Sequence, residues 1–199
     1  MSSKKKLIIS LSVAAAVLVA AIIAIVAVFA AGQQAVKTGI RVRFNAGDDV
    51  ACEIVGTWAM EDAEEDADPA QKGDIGSVII TADLEKDTFE LSEGEIDVEL
   101  NKTQNYVDFT YEFTNIGSDA FIIKLSQEVK GNGVEVKYIV DETEKSVTEM
   151  VNTGVTVPAV TAEDHTVVVT VRVTIPVENM GNSVSFTADI IWDLAVPGV

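Results

Sequence analysis

An all-β body behind an apolar N-terminal leader is the architecture the sequence predicts, the body folding as an antiparallel β-sandwich. Three observations carry that reading. Residues 7–31 hold 25 consecutive positions without a charge. Beyond them, runs such as "HTVVVTVRVTIPV" alternate apolar and polar side chains, a period of two that belongs to strands and not to helices. Turn-forming clusters, "NIGSD" at 115–119, "KGNG" at 130–133 and "ENMGNS" at 178–183, separate such runs at short intervals.

The leader comes first. Lys4, Lys5 and Lys6 precede Leu7 as a basic n-region, and small residues close the run, so the segment reads as an export signal. The lysines stay on the cytoplasmic side while the body crosses. Val28-Phe29-Ala30 places modest side chains three and one residues before a cut between Ala30 and Ala31; a cut one residue later would set Phe29 in the more distant of those sites. The run exceeds the usual apolar core of a signal, about 7–15 residues, and would suffice for a spanning helix of about 20. Cleavage is the reading adopted, because no stop-transfer charges follow closely and Lys37 stands alone. Retention as a membrane anchor is the alternative. Residues 1–30 are thus signal or anchor and 31–199 a single sandwich domain, expected outside the cell or on its surface.

The body alternates in order along the chain. Val107, Phe109, Tyr111 and Phe113 point one way, with Asp108, Thr110, Glu112 and Thr114 opposite. Val167, Val169, Val171, Val173, Ile175 and Val177 form another apolar face, and Val184, Phe186, Ala188, Ile190, Trp192, Leu194 and Val196 a third. Shorter runs at 40–44, 50–58, 78–84, 96–100, 121–125 and 134–140 complete about nine strands, which argues for two packed sheets. The stretch 141–152, "DETEKSVTEMVN", is compatible with one helical turn or a short helix. Cys52 falls on an apolar strand face with Val50, Ile54 and Trp58, so it reads as a small buried hydrophobe. A lone cysteine makes no intrachain disulfide.

Charge limits the partners. All 32 acidic residues follow the leader, and removing its three lysines leaves 11 basic residues, a charge of −21 on the exported part. Such a field repels nucleic acid and anionic headgroups and draws cations, so nucleic acid is excluded as a partner. The acids concentrate in "MEDAEEDADPAQKGDIG", where Glu61, Asp62, Glu64, Glu65, Asp66 and Asp68 precede Pro69. Mutual repulsion makes this a solvated loop. The alternative is a Ca²⁺ site with Asp62, Glu64, Asp66 and Asp68 as oxygen ligands, although the spacing lacks the EF-hand glycine.

Catalytic constellations are scarce. His165 is the only histidine and sits in "AEDHT" at a strand entrance, which removes zinc chemistry needing two histidines. No nucleophile elbow, P-loop or dinucleotide fingerprint occurs. Paired carboxylates for glycoside hydrolysis arise by accident among so many acids, and Trp58 and Trp192 lie on apolar faces instead of lining a groove. Asn101-Lys102-Thr103 matches a glycosylation sequon. No catalytic residue and no resident cofactor are expected.

The long leader, the segment "GQQAVKTGIRVRFNAGDDVACEIVGTW", the central "YVDFTYEFTNIGSDAFIIKL" and the closing "VVVTVRVTIPV…VSFTADIIWDL" resemble exported proteins of the camelysin/TasA group, bacterial surface and biofilm-matrix proteins. The resemblance spans nearly the whole chain as a strand pattern with one "F-T-N-x-G" hairpin. It implies a jelly-roll-like sandwich, processing by a dedicated signal peptidase and assembly into extracellular fibres. The protease activity described for camelysin is not implied, because no residue here supports it.

The expected function is therefore a non-enzymatic structural subunit of a cell surface or matrix, partnering itself or other matrix subunits and touching the membrane only through its N-terminal segment. Donation of residues 31–44 to the open edge of the next copy is one route to a fibre. An ordinary first strand within its own domain is the other reading of that segment. The alternative function is an adhesin or carbohydrate-binding module, which calls for exposed aromatics or a cation site on loops.

Overall fold

Twelve strands run through the described residues: β1 (Val36–Ala46), β2 (Cys52–Met60), β3 (Lys72–Ile80), β4 (Thr88–Glu90), β5 (Ile96–Leu100), β6 (Tyr106–Asn115), β7 (Phe121–Leu125), β8 (Glu135–Val140), β9 (Thr143–Lys145), β10 (Val155–Val157), β11 (Thr166–Thr174) and β12 (Phe186–Ala195). The computed structural model describes residues 36–60, 71–82, 88–91, 96–100, 104–129, 131, 133–179 and 186–197. One sheet runs β10-β7-β12-β1-β4, with β5 also pairing β1; the other runs β3-β2-β6-β11-β8-β9. Their inner faces merge in one apolar core, so the fold is an all-β sandwich. Among the described residues only β2–β3 and β8–β9 are sequential hairpins within a sheet; most other connections carry the chain across to the opposite layer.

Period-two alternation places the core. Val167, Val169, Val171 and Val173 of β11 are buried beside Val107, Phe109, Tyr111 and Phe113 of β6, while Phe44, Ile190 and Trp192 face them from the first sheet. The outward residues of β6 and β11 form their own ladder. Thr110 and Thr170 hydroxyls lie 3.1 Å apart, Thr114 and Thr166 3.2 Å, and Arg172 grips Asp108 through two bonds of 2.7 Å. The Arg172 guanidinium also lies 4.0 Å over the Tyr106 ring. Each layer therefore has a dry face and a hydrogen-bonded wet face, as the alternation predicts.

Three departures from the sequence reading have local causes. The strand expected at 78–84 instead occupies Lys72–Ile80. Its glycines look like breakers, yet Gly73 lies flat under the Trp58 indole, where a Cβ would come within 2.8 Å of Nε1. Gly76 adopts φ +143 where the Leu91 carbonyl crosses the strand. Second, β1 and β12 pair in parallel, Thr38 opposite Phe186 through Ala46 opposite Leu194, so the sandwich is not wholly antiparallel. The first and last strands meet as neighbours, and no crossover segment is needed between them. Third, β4, β9 and β10 have three residues each, too few to show a period.

The stretch 141–152 holds a tight turn and the strand β9 as well as the start of a short helical segment. Asp141 and Glu142 make the β8–β9 turn with φ of 44 and 66, and the Asp141 carboxylate accepts from Val168 N–H at 3.0 Å, continuing the ladder with a side chain. A π-helical turn follows at Glu149–Thr153, with Met150 buried. Helical residues begin at 147, and Ser146 caps them in a capping box: its N–H and hydroxyl both donate to the Glu149 carboxylate, and Glu149 N–H donates back to the Ser146 hydroxyl.

The "F-T-N-x-G" segment, expected as a hairpin, instead carries the chain from β6 of one sheet to β7 of the other, and its residues have a structural explanation. Asn115 is fully buried; its amide donates to the Asp119 carbonyl at 2.8 Å, and its Oδ1 accepts from Gly117 N–H at 2.8 Å. Asn115→Ala removes both and strands buried backbone groups, so unfolding free energy should fall by about 1–3 kcal/mol in a denaturant titration. The Ser146 bonds hold the Glu149 carboxyl below its ordinary range. A depressed folded pKa contributes stability that is present above the unfolded value and lost as pH falls through the folded one. Thermal melts of Glu149→Gln should thus lie below wild type at pH 7, the gap closing below about pH 4, near the ordinary Glu value.

Candidate assembly site: the seat of the first strand

β1 is the first described strand, yet it occupies the interior of its sheet. β12 lies along one side of it; on the other, β4 pairs with Arg43–Asn45 and β5 with Val36–Ile40. Leu91 N–H bridges the gap between those two short strands by donating to the Val42 carbonyl at 3.3 Å. β4 and β5 have no other strand partner among the described residues. Whatever fills this seat must satisfy an eleven-residue backbone on both sides.

The inward side of the seat is apolar. Val42 and Phe44 are buried, and the Phe44 ring meets Tyr111 at 6.5 Å and Phe113 at 5.9 Å, edge to face. Trp192 closes the circuit against Tyr111 at 5.9 Å and Phe113 at 6.2 Å. Such edge-to-face pairs contribute about 0.5–1.5 kcal/mol each beyond area burial. Tyr111 Oη and Trp192 Nε1 are buried beside it with no hydrogen-bond partner, and burial pushes the Tyr111 phenol well above its ordinary range. The ring packing therefore offsets two undersatisfied donors.

The outward side is charged and matched. Arg43 Nη2 lies 3.3 Å from Asp189 of β12, and its Nε 3.7 Å from Glu90 of β4. Asn45 donates to Asp193 of β12 at 2.8 Å and accepts from the Thr88 hydroxyl of β4 at 3.3 Å. The turn leaving the seat, 47–51, is closed by Gly47 N–H on the Leu194 carbonyl at 2.9 Å and Val50 N–H on the Gly47 carbonyl at 3.0 Å.

Other expected positions fall elsewhere. Asp62, Glu64, Asp66 and Asp68 lie outside the described residues, as do Ala30, Ala31 and Asn101. Among the described residues no group of three metal-ligating side chains occurs, and no helix is long and apolar enough to cross a membrane. Cys52 is fully buried and its thiol is pushed up to about 12, so it stays protonated and packs as a hydrophobe. His165 precedes β11, and its carbonyl accepts from Asn115 N–H at 2.9 Å. Trp192 is core, while Trp58 is half-buried against the core. A concavity of about 510 Å³ on the outer face of the β6 sheet is lined by Asp108, Asp141, Glu142, Thr170 and Arg172, its arginine already paired. The seat of β1 escaped the sequence reading, because alternation marks Val42 and Phe44 as inward but not which strands flank them.

The two sides of β1 differ in weight. Phe44→Ala should cost about 3–5 kcal/mol, read as a Tm drop of roughly 6–20 °C at 2–4 °C per kcal/mol. Arg43→Ala, an exposed pair, should stay within about 1 kcal/mol. No family model matches the chain, and no curated protein matches it.

Proposed function

We propose that the chain is an exported, non-enzymatic subunit of a bacterial surface or biofilm matrix, and that copies assemble by passing β1 from one to the seat of the next. The leader directs the body outward, with the membrane met through that segment before or without cleavage. The jelly-roll-like reading and the fibre reading both rest on the sequence resemblance to the camelysin/TasA group. The partners are other copies or other matrix subunits.

The observation that carries this reading is the position of β1. It is the first strand among the described residues, it fills an interior place by parallel pairing with β12, and a short turn joins it to the rest. Its partners on β12 lie 146–148 residues away in sequence, so it docks by a long-range closure that another copy's β1 can equally perform. The sandwich edges offer a poorer route. β4, β9 and β10 are three-residue edges, β5 is a five-residue one, and β3 is bulged opposite Gly56 and Thr57; short and bulged edges discourage strand addition. Non-reciprocal exchange leaves an open seat at one end and a free strand at the other, and so extends without closing.

The charge of −21 opposes stacking, so assembly should rise with salt or divalent cations as repulsion is screened. The test takes the chain beginning at Ala31, followed by negative-stain microscopy across a salt series. Filaments should form, and an excess of free peptide 36–46 should shorten or abolish them. Filaments indifferent to the peptide, or none under any salt, overturn the reading.

A further inference from the structure

We propose that Arg43 and Asn45 act as a latch that selects what the seat accepts: a strand bearing a cation and then an amide on its outward side, as a second copy's β1 does. This inference rests on the exchange reading and names the partner determinant of that same site.

The inward requirement alone is permissive. Val42 and Phe44 ask only for apolar side chains at alternate positions, and many strands of a matrix protein offer that. The outward requirement is narrow. Arg43 and Asn45 are successive outward residues, and each reaches both flanking strands at once. Arg43 lies between Asp189 of β12 and Glu90 of β4, at 3.3 and 3.7 Å. Asn45 bonds Asp193 of β12 at 2.8 Å and Thr88 of β4 at 3.3 Å. Register adds Arg41 opposite Asp189 as well. The seat thus presents carboxylates from two strands to any outward side chain that enters. An acidic or neutral strand would leave those carboxylates facing each other or facing like charge. In a chain with 32 acids against 14 basic residues, most outward strand positions are of that excluded kind.

Arg43 is about one-third exposed and its partners more so, which sets the kind of effect to expect. Exposed pairs add little to the stability of the folded copy. Like charges in their place repel, so the latch discriminates between strands more than it tightens the correct one.

The experiment uses the chain from Ala31 under assembling conditions, with two synthetic peptides of residues 36–46. One has the native sequence, the other carries Arg43→Glu. The native peptide should halve filament formation at a concentration at least about tenfold lower than the Arg43→Glu peptide. A chain carrying Glu90→Arg and Asp189→Arg should reverse that order. Should this chain fail to fold, the same comparison on the wild type at about 1 M salt, where the screening length is about 3 Å, replaces it: the gap between peptides should close. Equal potency of the two peptides at low salt overturns the latch and leaves exchange standing. Indifference to both peptides overturns the exchange reading, and the latch with it.

Discussion

The structure depends on one contact: β1 lying between β12 and two fragments of sheet, β4 and β5, that have no other strand to hold among the described residues. Phe44 brings this contact into the core, where its ring joins Tyr111, Phe113 and Trp192 in a closed edge-to-face circuit across both layers. Without β1, β12 loses a nine-residue parallel partner, and β4 and β5 lose their place in the sheet. Most of the sandwich coheres through antiparallel neighbours such as β2–β6–β11, whereas β1 has one long parallel neighbour, β12, and two short antiparallel ones, β4 and β5. A strand held mainly by distant partners, and joined to its own body by a short turn, is the part of this fold that we propose a neighbour supplies.

Inside and outside do different work along that strand. The inward residues provide the energy, since burial and ring packing scale with apolar contact. The outward residues are proposed to provide identity, since exposed charge pairs discriminate more than they bind. The same division recurs on β6 and β11, where inward valines and aromatics build the core while Thr–Thr bonds and the Arg172–Asp108 fork align the outer ladder. There the fork is shielded by Tyr106 and belongs to a fixed pair of strands, whereas Arg43 addresses strands that meet the first segment from far along the chain.

Much of this was legible in the residues, for a stated reason. Period-two alternation is intact on the inward side of β6, β7, β11 and β12, although Ile122, Val168 and Ile191 interrupt the polar side, so their inward faces could be read directly, and the burial of Phe113, Val169 and Trp192 follows from it. The reading failed where another rule overrode alternation. β3 was displaced because Gly73 and Gly76 serve close approaches to Trp58 and Leu91, not turns. The capping pair Ser146 and Glu149 was present in "SVTE", but the acidic, turn-rich company of that stretch concealed it. The seat itself was illegible, because which strands flank β1 is decided by pairing over the whole chain and no local pattern records it. The "F-T-N-x-G" motif was visible, and Asn115 accounts for it by closing its own loop.

The central claim is that β1 of one copy can occupy another copy's seat. Arg41 and Asp189 stand opposite one another in the β1–β12 register, so a cysteine at each reports that pairing directly. Two differently tagged chains, one with Arg41→Cys and the other with Asp189→Cys, are mixed under assembling conditions, oxidised and run without reductant. Exchange predicts a covalent band containing both tags that grows with protein concentration. Absence of that band, when the two cysteines placed in a single chain do close within it, would contradict the account.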